Sequence, residues 1–273
     1  MDNKVTLRTV LVHELTIILV AALVIRVILV LTTVALGSDG AEYCWTAQRM
    51  SEKGLIAGMK GDFLYPFYSV NRRLPVYPFL GSLLYRVVGD MVLAMQLISV
   101  FLGLGAVALA YAMARELFEP REIAAMAAGI VALHPVLARS SVEVLREVPA
   151  GFFILLALYL LLLSLRVERF WPVLALVTGV VGFVAFLTRL EAAVLMPLFC
   201  VLPFADRGMR LRKKLAIMTC VFIGFWVLEV PYAIWLHRQT GHLLFNQGMI
   251  EKVENRADGI DRKLFGAQDE RVR

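Results

Sequence analysis

The chain has 273 residues, 60% of them hydrophobic and only 18% charged. A soluble domain is nearer half apolar and a quarter charged, so the composition points to a protein whose solvent is largely lipid. A net charge of +6 would suggest nucleic acid in a soluble protein. Here Lys and Arg fall in short clusters between apolar runs, no RNP, zinc-finger or helix-turn-helix pattern occurs, and no nucleic-acid partner is expected.

Hydropathy predicts an all-α polytopic membrane protein with about seven spans, at about 15–36, 91–113, 123–137, 149–165, 171–187, 190–204 and 215–236, set against the roughly 20 residues a bilayer requires, the third and sixth being short. The first run is too long for a signal-peptide core and lacks a small-x-small cleavage site, so it is read as a retained helix. With the N-terminus inside, the inner segments hold Lys4 and Arg8, Arg115 and Arg121, Arg166 and Arg169, and the run Arg207, Arg210, Arg212, Lys213 and Lys214. This is the positive-inside pattern. It places 37–90, the turn near 139–147, the turn near 188–191 and the polar tail 237–273 outside. Residues 1–236 form one transmembrane module. The tail is read as the end of a minimal protein, of a fragment, or of one part of a larger assembly.

The outer loop 37–90 is too long and too apolar to be a passive connector. Residues 41–53 can form a helix opening after Ser38-Asp39. Residues 75–88 carry Val76, Phe79, Leu80, Leu83, Leu84 and Val87 at helical spacing, which predicts an amphipathic helix along the interface. Tyr65, Phe67, Tyr68, Tyr77 and Tyr85 suit the headgroup zone. Cys44, Cys200 and Cys220 are isolated, with neither a disulfide framework nor a metal spacing.

Four outer segments bring acids or arginines to one membrane level: Ser38-Asp39-Gly40-Ala41-Glu42-Tyr43, Asn71-Arg72-Arg73-Leu74-Pro75, Glu143-Val144-Leu145-Arg146-Glu147 and Thr188-Arg189-Leu190-Glu191. A carboxylate can take a proton from an acceptor nucleophile, and arginines can grip a phosphate with forked hydrogen bonds. Each residue also has a plainer reading. Asp39 can serve a turn or cap, Glu147 can complement a helix N-terminus, Arg189 and Glu191 can pair with each other, and Arg72 and Arg73 can meet lipid headgroups. His134, before Pro135, is more readily structural than catalytic. Arg26 and Glu229 lie deeper in their helices, where charge is costly, and are assigned to helix packing.

The order of these segments resembles the GT-C superfamily of membrane glycosyltransferases, especially the protein O-mannosyltransferases and aminoarabinose lipid A transferases. The family's acidic motif in the first outer loop matches Ser38 to Tyr43, followed by Ala47 and Gly54. Its Arg-Pro-Pro-Leu-Tyr-like motif matches Arg72-Arg73-Leu74-Pro75-Val76-Tyr77-Pro78, ending at Gly89-Asp90. His134-Pro135 with Glu147, Thr188-Arg189-Leu190-Glu191, and Pro231-Tyr232 with Arg238 to Gly241 match later motifs. Two departures stand out: Asp39 and Glu42 are not adjacent acids, and one proline of the second motif is shifted.

The resemblance implies inverting transfer of a sugar from a polyprenyl-phosphate donor to an acceptor hydroxyl or amine at the outer (periplasmic or extracytoplasmic) face of the inner or plasma membrane. The acceptor (protein, lipid or glycan) stays open. Asp39 and Glu42 would be catalytic, with Asp39 the general base. Arg72, Arg73 and Arg189 would bind the donor phosphate, with Tyr43, Tyr77, His134, Glu147 and Glu191 as further site candidates. Membrane lipid would surround the module, and a divalent cation, magnesium or manganese, would sit at Asp39 and Glu42 if the reaction uses one. A transporter or flippase for a lipid-linked or anionic substrate, and a noncatalytic subunit of a glycosylation assembly, are the alternatives.

Overall fold

In hydrocarbon the backbone must satisfy its own hydrogen bonds, and an apolar run does so as a helix. The computed structural model describes residues 2–32, 36–59, 74–206, 208–241 and 244–245, with side chains from His13 onward. Among these residues every regular element is helical: α1 (Asp2–Thr32), α2 (Ser38–Lys53), α3 (Leu55–Met59), α4 (Val76–Val88), α5 (Met91–Leu117), α6 (Arg121–Leu133), α7 (Pro135–Val142), α8 (Glu147–Arg166), α9 (Trp171–Phe186), a 3-10 turn (Leu190–Val194), α10 (Leu195–Ala205) and α11 (Leu211–Thr240). Arg72, Arg73, Tyr65, Phe67, Tyr68 and the tail beyond Phe245 lie outside the described residues.

Four helices are long and apolar enough to cross a membrane: residues 13–32 of α1, then α5, α8 and α11. The expected third span is not continuous. It breaks at His134-Pro135 into α6 and α7, which meet at a 46° bend and together are long and apolar enough for a fifth crossing. The proline has no N–H to carry the ladder onward. Arg26, mid-helix in α1 and only 1% exposed, answers the break by donating from Nη1 to the carbonyl of Ala132 at 3.3 Å and to its own Ala22 carbonyl at 3.1 Å. α9 has 16 residues and α10 has 11, both shorter than a full span, so helix length alone does not give the seven spans expected from hydropathy.

The two expected interfacial helices are present as α2 and α4. α2 begins earlier than predicted. Gly37, in extended backbone, is its N-cap without a side-chain hydrogen bond, so Asp39 stands in the first turn and not before it. α4 buries Tyr77, Pro78, Gly81 and Ser82 against its neighbours while Leu83 and Val87 of its apolar stripe point outward. Pro78, Gly81 and Ser82 let the helix approach its neighbours closely, and Tyr77 fills the contact between them.

α5 is the centre of one half, touching α1, α4, α6, α7 and α8, and α9 joins α8 to α11 in the other. The α9–α11 crossing is close because it is built on glycine. A Cβ on Gly179 would collide with the Val221 carbonyl oxygen and lie 2.7 Å from the Phe225 nitrogen, and one on Gly224 would collide with the Leu176 carbonyl oxygen. Arg115, Arg121, Arg166, Arg169, Arg210 and Lys214 gather at the helix junctions of one end, where Arg166 bridges to Glu116 at 2.8 Å. Gly179→Ala or Gly224→Ala should force the two backbones apart at a cost of about 1–3 kcal/mol, read as a lower melting temperature in detergent. Gly151→Ala in α8, with nothing within 4 Å of the new Cβ, should be neutral or mildly stabilising.

Candidate functional site

The end of the bundle opposite those cations is assembled around the first turn of α2. Gly40 allows it: a Cβ there would lie 2.7 Å from the Glu143 carbonyl oxygen and 3.5 Å from the Val144 side chain. The helix that carries Asp39 and Glu42 is thus seated directly on the corner between α7 and α8. That corner is strained. Val144, fully buried, has φ of 57°, a left-handed conformation that a β-branched residue rarely adopts and that costs on the order of 1–3 kcal/mol. Its side chain packs with Tyr43, Cys44, Ala47, Tyr77 and Met95. Gln96 of α5 steadies the corner by donating to the Val142 carbonyl at 2.9 Å.

Beyond the corner, α8 opens with Glu147. Its Oε1 accepts from Arg189 Nη1 at 2.7 Å, and Arg189 Nε donates to Glu191 Oε2 at 3.1 Å. Arg189 therefore joins two segments far apart in sequence, and both plainer readings coexist: it pairs with Glu191 and also draws Glu147 across. The second Glu147 oxygen is buried and makes no hydrogen bond among the described residues. Glu191 is held below the usual carboxylate range by its own backbone N–H and by Arg189 and Arg146. Glu143, the other acid of the corner, is bound by Arg139 at 2.6 Å.

The remaining candidates divide by exposure. Asp39 is exposed and Glu42 half-buried, three positions apart and on the same helix face. Tyr77 is not at a headgroup surface. It is 1% exposed, donates to the Met95 carbonyl at 3.2 Å and shares a 2.6 Å hydrogen bond with Ser99 Oγ. Burial raises its phenol above the ordinary range, and its ring lies 5.6 Å from that of Tyr43. Both tyrosines hold α2 and α4 in place and face no open surface. Cys44 beside them is pushed up to about 11 by burial, then by Asp90, so its thiol is inert. His134 is exposed and caps α7, its Nδ1 accepting from the Leu137 N–H at 3.4 Å. Sequence reasoning did not single out Val144, Gln96 or Arg146. Only the run Glu143 to Glu147 drew notice, through its charges.

A divalent cation at Asp39 and Glu42 would have two carboxylates from one helix turn. Among the described residues no three His, Cys, Asp or Glu side chains gather into a ligand set, so these two carboxylates do not by themselves complete a metal site.

A family model described as dolichyl-phosphate-mannose-protein mannosyltransferase matches residues 72–235. Archaeal oligosaccharyltransferase AglB from Archaeoglobus fulgidus, solved in complex with an inhibitory peptide and a dolichol-phosphate, shares the fold with a TM-score of 0.64 at 19% sequence identity. The likeness covers 80% of this chain and 29% of that one. No curated protein matches the chain. With more than half of its length inside one family's pattern, on a GT-C fold, the chain belongs to the dolichyl-phosphate-mannose-protein mannosyltransferase family.

Proposed function

We propose that the protein transfers a sugar from a polyprenyl-phosphate donor to an acceptor hydroxyl or amine at the outer face of the membrane, with inversion at the anomeric carbon. Family membership supports the donor class. The dolichol-phosphate and peptide in the archaeal structure are consistent with a lipid-phosphate carrier and a protein acceptor. The observation that carries the reading is the setting of Asp39: an exposed carboxylate in the first turn of a helix docked onto the Glu143–Glu147 corner, at the end of the bundle away from the basic junctions. A lipid tail fixes its phosphate at the membrane surface, and Asp39 stands where an acceptor arriving from water would meet it.

In this mechanism Asp39 removes the proton of the acceptor as its oxygen or nitrogen bonds to the anomeric carbon. The bond from that carbon to the phosphate oxygen breaks, and polyprenyl phosphate leaves with the electron pair. Glu42 shares the helix face and orients the acceptor. Arg72 and Arg73, with Arg189, stabilise the leaving phosphate. Glu147 holds the Arg189 guanidinium in its orientation through their 2.7 Å hydrogen bond.

Positioned bases contribute about 10²–10⁴-fold. Asp39→Asn should therefore lower transfer from a polyprenyl-phosphate sugar by at least the lower end of that range, with donor binding intact. At a first-turn position Asn loses only the charge's interaction with the helix dipole, about 0.3–1 kcal/mol, so a variant with near-normal turnover would reduce Asp39 to a structural role. For the phosphate, Arg73→Ala combined with Arg189→Ala should weaken donor binding. Lys replacements should rescue poorly, because a point charge lacks the planar fork; full donor affinity in the double Ala variant would remove these arginines from the site. Cysteines placed at positions 62 and 210 should label from opposite sides of the membrane, and labelling from one side would overturn the orientation.

A further inference from the structure

Glu229 of α11 is 1% exposed, yet neither of its carboxyl oxygens makes a hydrogen bond among the described residues. One turn earlier on the same face, Trp226 Nε1 is also buried and without a partner. Both residues line one cavity of about 330 Å³, whose other walls include Phe186, Leu190, Met196 and Phe225. Leaving such groups unpaired in an apolar wall is costly, and an ionisable side chain inside a membrane helix points to a ligand or a partner. No Lys or Arg is among the residues that line the cavity.

The two orphan groups define what fits. The indole offers a donor and the carboxyl offers acceptors, three residues apart over the same space. A plain hydrocarbon chain satisfies neither. A phosphate or carboxylate head would bring a full charge among walls that offer no Lys or Arg to offset it. An ammonium could pair with Glu229 but has no lone pair for the indole N–H. A hydroxyl does both, accepting from Trp226 and donating to Glu229, while the apolar walls take the chain behind it. The volume is within the range of small-molecule pockets. We propose that this cavity is a binding site for a long-chain alcohol, an apolar ligand with a single hydroxyl held between Trp226 Nε1 and the Glu229 carboxyl. Its Leu190 wall adjoins Arg189 and Glu191 in the chain, and the proposal does not depend on the proposed transfer reaction.

The test uses the full chain in phosphatidylcholine nanodiscs and a 1-dodecanol probe carrying a diazirine on its chain. Irradiation should label peptides containing Phe186, Met196 or Phe225. Unlabelled 1-dodecanol should displace the probe at a concentration about tenfold lower than dodecane or dodecyl phosphate, the difference of one hydrogen-bonded head. Trp226→Phe, which keeps a ring in the wall, should erase that preference. Glu229→Gln, whose amide oxygen still accepts, should keep it, and Glu229→Leu should lose it. Equal competition by dodecane would make the cavity a hydrocarbon groove and overturn the proposal. So would stronger competition by dodecyl phosphate, which would make it part of the donor site, or an undiminished alcohol preference in Trp226→Phe. Should Glu229→Leu fail to fold, the ranking of the three competitors on the unmodified protein still decides.

Discussion

Hydrocarbon supplies no hydrogen bonds, and this constraint decides where the chain can bend. The third crossing is interrupted at His134-Pro135, which frees carbonyls that the helix ladder would have used. Arg26 reaches across from α1 to the Ala132 carbonyl, 106 residues away in sequence. One charge that would be expensive in lipid and one break that would leave a carbonyl bare thereby cancel much of each other's cost. His134 completes the repair by capping the helix that resumes on the far side. The bend matters because it aims α7, and α7 ends at the corner on which α2 is docked.

That corner combines a strained residue with an absent side chain. Val144 is held at a positive φ by packing with Tyr43, Tyr77 and Met95, and Gly40 removes the Cβ that would strike the Glu143 carbonyl. Strain persists where the surroundings over-determine it, and such places often serve a site. Here the strained residue fixes the spacing between the acids of α2 and the Glu147–Arg189 bridge. Tyr77, tied to Ser99 and the Met95 carbonyl, keeps α4 from sliding and so keeps α2 from tilting.

How much of this could be read from the sequence follows the physics of each feature. Apolar runs, basic clusters and the helical spacing in the outer loop are local, and they predicted the helices α1, α2, α4, α5, α8 and α11. The start of α2 was misplaced by three residues because Ser and Asp are favoured caps, whereas Gly37 caps here through backbone conformation alone. Tyr77 looked like an interface anchor because aromatic content carries no sign of direction; its partner Ser99 lies 22 residues away. The continuous third span was expected because a single proline barely changes hydropathy, although it breaks the ladder. The candidate acids and arginines were legible by type, but their pairing was not. Nothing local shows that Arg189 meets Glu147, 42 residues earlier.

That pairing changes what Arg189 can do. Two carboxylates and one guanidinium carry a net charge of −1, which by itself disfavours an incoming phosphate. Arg146, close enough to lower the Glu191 pKa, offsets this locally, and Arg72 and Arg73 carry the further positive charge that the proposed site requires. The geometry of the fork matters as much as the charge. Arg189 uses Nε for Glu191 and Nη1 for Glu147, so a phosphate approaching the Nη2 edge need displace neither bond. A guanidinium already fixed in its plane by two carboxylates loses little further freedom when it takes a third anion. The carboxylates that weaken its charge are therefore also what hold it ready, and an arginine so placed contributes through orientation where a lysine, with no plane to fix, would contribute through charge alone.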